Sequence, residues 1–111
     1  MAKVHAVLDI ARMHVGAREA TTVLQALANQ DRLMLLCQLT QGEKSVGELE
    51  DALDIRQPTL SQQLGVLRDK GLVATRREGK RIYYSVADPK IFAVLKTLYA
   101  LYCPQPKGSR A

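Results

Sequence analysis

The segment Gln57 to Gly71 reads QPTLSQQLGVLRDKG. Its front half sets Gln57, Thr59, Ser61, Gln62 and Gln63 around Leu60 and Leu64. These neutral side chains carry hydrogen-bond donors and acceptors, a chemistry suited to paired hydrogen bonds with base edges in a DNA major groove. An ordinary surface helix of a basic protein would carry Glu and Lys there, and a Glu would repel phosphate. Arg68 lies further along the same segment, and TRREGKR follows it with Arg76, Arg77, Lys80 and Arg81. Such residues can grip the phosphate backbone while the neutral tip reads, since phosphate contacts position and base contacts specify. The bland alternative is a solvated helix face that happens to be rich in Gln.

Charge distribution weighs against the bland reading. The chain has 111 residues and a net charge of +5. From Arg56 to Arg81 there are seven basic residues and two acidic ones, whereas from Glu43 to Asp54 there are one basic and five acidic. Charge sorted into neighbouring segments implies a directed electrostatic face and a polyanionic partner.

The two cysteines are the other reactive groups. Cys37 falls at the helical spacing of Leu33 and Leu36, where a small apolar residue is common and a buried thiol is inert. Cys103 stands at a helix end before Pro104, with no comparable packing reason. No signal peptide and no apolar run of membrane-spanning length are present, so a cytoplasmic protein with no membrane partner is expected. Both thiols are then reduced by default, and a bond between them would be a signal and not a staple. His5 and His14 are the only histidines. With Cys103 they would make a sparse metal site, since soft sites normally use three or four converging ligands, and solvated helix residues are the preferred reading. No nucleophile–base–orienter set and no phosphate-cradling glycine loop is present, so no enzyme and no cofactor is expected. Peroxidase-like cysteine chemistry is the nearest enzymatic rival. A winged helix that binds only proteins is the other, and it would not need so basic a hairpin.

The elements that must position these groups follow from periodicity. A hydrophobic fraction of 47% in 111 residues supports one small core, built from Leu, Val, Ile and Ala because there is no Trp and one Phe. A first helix is expected from about Gly16 to Ala28, with a start as early as Val4 left open, and Val23, Leu24 and Leu27 as its stripe. A second follows Asn29, with Leu33, Leu36, Cys37 and Leu39 or Thr40 inward, and stops at Gly42. SVGE is a capping box that starts a third at Ser45, with Val46, Leu49 and Leu53 as its apolar face. Pro58 is placed in the first turn of the fourth, where its missing N–H is not needed, and Leu60, Leu64 and Leu67 face the core. The period then drops to two across LVATRREGKRIYYSV, with EGK as a hairpin turn. Asp88 and Pro89 open a last helix that ends near Cys103.

The predicted fold is mainly α with a small β-hairpin, in the order α-α-α-α-β-β-α: a winged helix-turn-helix over residues 1–103, with 104–111 a disordered tail. Phe92, Leu95, Leu98, Tyr99 and Tyr102 make the last helix apolar nearly all round, which suggests a homodimer interface.

The run from LANQDRLMLLCQL through SVGELE, QPTLSQQLGVLRDKGLV and RREGKRIYYSV resembles the ArsR/SmtB family of bacterial winged-helix repressors, over nearly the whole chain. The resemblance implies a dimer whose first and last helices form the interface and whose two recognition helices read an inverted repeat in double-stranded operator DNA, with release on inducer binding. The family's metal sites have no counterpart here: EKSVGELED lacks Cys and His, and DPKIFAVLKTLYALYC keeps Asp88 but has no His. LMLLCQL and LYALYCP are similar to the BigR and SqrR branch, whose matching cysteines respond to persulfides and sulfide stress by joining directly or through inserted sulfur. The resemblance thus implies Cys37 and Cys103 as sensing thiols and reactive sulfur species as inducer. Oxidants, a metal, or an anti-silencing role with inert cysteines remain the alternatives.

Overall fold

The computed structural model describes residues 9–104. His5, a helix start near Val4 and the segment beyond Pro104 lie outside the described residues. Helix α1 (Ile10–Leu27) begins well before Gly16. Asp9 is the reason: its carboxylate accepts from the amides of Ala11 at 2.9 Å and Arg12 at 3.5 Å, serving donors that a helix start leaves unpaired. The expected stripe divides. Leu27 is buried with Ala26, Val23 packs at the edge of the core, and Leu24 is exposed. Asn29 caps helix α2 (Gln30–Leu39) by accepting from the Arg32 amide. Leu35, Leu36 and Leu39 are its buried residues, while Leu33 and Cys37 are half-buried beside them.

Ser45 and Glu48 form the expected capping box at the start of helix α3 (Val46–Leu53), with reciprocal hydrogen bonds of 3.2 and 2.8 Å. Ser45 also belongs to a short strand, β1 (Lys44–Ser45), which the hydropathy pattern does not signal because two residues carry no period. Asp54 ends α3 in the left-handed region, a conformation Asp tolerates better than most residues, and the chain turns there into helix α4 (Thr59–Asp69). Pro58 occupies the cap position just before α4 and not its first turn. Leu60, Leu64 and Leu67 are buried.

Strands β2 (Val73–Glu78) and β3 (Arg81–Val86) form the hairpin, with Gly79 at positive φ in a two-residue turn. The sheet has three antiparallel strands in the order β1-β3-β2, so the wing is joined to the start of α3 by backbone pairing of Lys44 with Tyr84 and Ser45 with Tyr83. Burial does not alternate along β2: only Val73 is buried. Asp88 caps helix α5 (Pro89–Tyr102) through the Lys90 amide, and the helix closes at Cys103. The core is one cluster around Leu35, Leu36, Leu49, Leu64, Ile91 and Leu95.

Leu64 is 2% exposed in the middle of this cluster. Leu64→Ala is expected to lower unfolding stability by about 2–5 kcal/mol, measured by urea denaturation, the range for a leucine truncated in a packed core.

Candidate nucleic-acid interface and thiol pair

Helix α4 presents its N-terminal turn outward because its leucine stripe is buried on the opposite side. Pro58 offers no capping side chain, and Gln57 does that work. Its Oε1 accepts from the Ser61 amide at 3.2 Å and from the Ser61 hydroxyl at 2.6 Å. Gln57 and Ser61 therefore form one exposed unit, with Gln62 exposed beside it and Thr59 half-buried. Gln63 departs from the expected reading set. It is half-buried, and its Oε1 accepts from Nη1 of Arg32 at 3.0 Å. The same guanidinium donates from Nε to the Ala26 carbonyl at 2.6 Å and from Nη2 to the Gln25 carbonyl at 3.2 Å. Arg32 thus serves the carbonyls at the end of α1 and ties them to the recognition helix. Nothing in its sequence neighbourhood marks it out from an ordinary surface arginine.

Arg68, Arg77, Lys80 and Arg81 are all exposed. Arg76 is exposed but engaged. Its Nε and Nη2 donate to both oxygens of Glu43, at 2.9 and 2.7 Å, and Nη1 donates to Glu78 at 3.1 Å. The guanidinium also lies over the Tyr83 ring, 4.8 Å from its centroid. The hydrogen bond from Arg76 holds the Glu43 carboxyl below its usual range, and the two carboxylates push Arg76 the other way.

Cys37 on α2 and Cys103 at the end of α5 are both free and half-buried. Burial pushes the Cys37 thiol above its ordinary value, and charge on Cys103 raises it further. The two thiols lie on α2 and at the end of α5, helices that pack on each other. Among the described residues no cationic neighbour offsets these two effects, so Cys37 lacks the usual activation of a thiolate.

The expected interface residues separate into two groups. Leu95 is 1% exposed and belongs to the core of its own subunit, and Leu98 packs against that core. Phe92, Tyr99 and Tyr102 remain exposed, as do Ile10, Met13, Val15 and Leu24 on α1. Exposed apolar side chains are thus gathered on α1 and α5. Among the described residues no three His, Cys, Asp or Glu side chains converge as metal ligands, and His14 is exposed on α1. No described helix is long and apolar enough to cross a membrane.

A helix-turn-helix whose second helix presents an outward polar tip, flanked by a basic hairpin, defines a winged helix-turn-helix DNA-binding domain. The family model for the bacterial regulatory protein, arsR family, matches residues 29–75, from the α2 cap into β2. The chain is 54% identical to the biofilm growth-associated repressor of Agrobacterium fabrum, over 86% of this chain and 82% of the relative. It resembles the crystal structure of the transcriptional repressor BigR from Xylella fastidiosa, with TM-score 0.82 and 46% identity over 88% of this chain and 100% of that one. It also resembles reduced HlyU from Vibrio cholerae, with TM-score 0.79 and 40% identity over 84% and 98%. The transcriptional activator HlyU of Vibrio cholerae is 39% identical to the chain, over 86% of this chain and 89% of the relative. The chain belongs to the ArsR family of bacterial regulatory proteins and is a transcriptional regulator.

The burial of Cys37 has a measurable consequence. Alkylation of Cys37 is expected to be slow at neutral pH and to rise with a midpoint above that of a free cysteine. In Cys103→Ser, which removes the neighbouring charge, the midpoint should move down but stay high, because burial is the larger cause. Iodoacetamide labelling followed by peptide mass analysis across pH measures both.

Proposed function

We propose that this chain is a dimeric repressor that leaves its operator when Cys37 and Cys103 react with reactive sulfur species. The observation that supports the reading is that α2 and α5 pack on each other, with Cys37 free and half-buried on the first and Cys103 free and half-buried at the end of the second, a helix with an outward aromatic face. In the first step a thiolate takes the outer sulfur of a persulfide, giving a cysteine persulfide and a free thiol. In the second step the other cysteine attacks the sulfur bonded to the first. A disulfide forms and hydrogen sulfide leaves; if a further sulfur was inserted, the bridge is a trisulfide. A direct bond requires Cα atoms within about 7 Å, and a wider separation favours inserted sulfur. A tie between α2 and α5 would alter how two recognition helices are spaced, and a dimer on an inverted repeat is sensitive to that spacing.

Gln57, Ser61 and Gln62 are the base-reading residues in this proposal, with Thr59 beside them and Arg68, Arg77, Lys80 and Arg81 holding phosphate. The outward apolar residues of α1 and α5 supply the homodimer contact. The repressor direction follows the names of the Agrobacterium and Xylella relatives. An activator that displaces another protein is the second reading, favoured by the likeness to HlyU.

Fluorescence anisotropy on DNA from the chain's own promoter tests the central claim. Reduced protein should bind, a persulfide donor should release it, and intact mass should show Cys37 joined to Cys103. Cys103→Ser should bind equally and ignore the donor; release that is unchanged in this variant would refute the thiol mechanism. Sedimentation at micromolar concentration should give a dimer, and Tyr99→Glu should shift it toward monomer, since a charge would then be buried against an apolar surface.

A further inference from the structure

The wing arginines are not equivalent. Arg77, Lys80 and Arg81 are exposed, whereas Arg76 is forked onto Glu43, bonded to Glu78 and stacked on Tyr83. Two carboxylates face one guanidinium, so Arg76 has no net charge to offer a phosphate without giving up a bidentate pair. Exposed ion pairs are usually weak, but a bidentate arginine within a small network is the geometry that matters.

The position of the network is informative. Arg76 pairs in register with Tyr83 on β3, and Tyr83 pairs on its other side with Ser45 of β1. Glu43 stands just before β1, so the Arg76 side chain ties the outer strand of the hairpin, across the face of β3, to the segment that leads into α3. The backbone link between β1 and β3 is only two residues long. The base of the wing is held by Val73, Tyr84 and Val86 on the core; further out, its angle to the helix-turn-helix depends on a short ladder and on this brace.

We propose that Arg76 is a positioning residue that sets the wing on the DNA, and that the phosphate contacts of the wing belong to Arg77, Lys80 and Arg81. The inference rests on the DNA-binding reading above. It assigns Glu43, an acidic residue, a favourable role in DNA binding.

The test is the salt dependence of binding to promoter duplex by the full chain, with circular dichroism confirming that each variant is folded. Each phosphate contact contributes about 0.9 to the slope of log K against log salt. Arg77→Gln should lose about that amount. Arg76→Gln should keep the wild-type slope and lose affinity on the order of tenfold at every salt concentration. Arg76→Lys should resemble Arg76→Gln, because the charge survives but the fork does not. Glu43→Gln should weaken binding to a similar degree, and the double variant should be no weaker than either single one. A slope reduced by about 0.9 in Arg76→Gln and restored in Arg76→Lys would overturn the assignment, as would tighter binding by Glu43→Gln or no effect from any of these changes. If the wild-type chain shows no salt-dependent duplex binding, the DNA reading fails and this inference falls with it; if it binds and only the Arg76 pattern differs, the inference alone fails.

Discussion

Leu60, Leu64 and Leu67 of α4 lie buried, α4 packs on α2, and the orientation of the reading tip follows from that contact. Burying this stripe points Gln57, Ser61 and Gln62 to solvent. It also makes α2 a shared wall, since α1, α3, α5 and β3 pack on it too. Cys37 is set into this wall. A helix that touches the reading head, the outward helix α1 and the wing strand β3 cannot shift in one place only, because close-packed interiors transmit displacement and do not absorb it.

Polar links extend the same logic. Arg32 joins the last carbonyls of α1 to Gln63 on α4, and Arg76 joins the wing to Glu43. Both use the flat guanidinium fork to fix a direction, which a lysine cannot do. The basic surplus of the chain is thus divided. Some cations hold the protein's own elements in place, and others are left for an external anion.

Local signals in the sequence were decisive where the physics is local. The Ser45–Glu48 box, the Asp88 cap before Pro89 and the Leu60, Leu64, Leu67 stripe each lie within a turn or two, and the structure has them as read. Helix α1 starts earlier than its apolar stripe alone indicates, because the Asp9 carboxylate caps its first amides. The links from Arg32 to Gln63 and from Arg76 to Glu43 bridge 31 and 33 positions and have no local signature. The same holds for Leu95. A helix apolar on most sides must turn one side to its own core, and only tertiary packing decides which.

The two cysteines lie at opposite ends of the reading apparatus along the chain. Everything between them, β1, α3, α4, β2, β3 and α5, would be enclosed if they were joined. The oxidised chain would then be a covalent ring closed around its own DNA-binding head. On a chain-entropy argument, a loop of that size disfavours the unfolded state by between about 3 and 5 kcal/mol. Loss of DNA affinity would accompany a gain in resistance to unfolding, so the signalled state would be the more durable one, and its lifetime would be set by reductants and not by the fold.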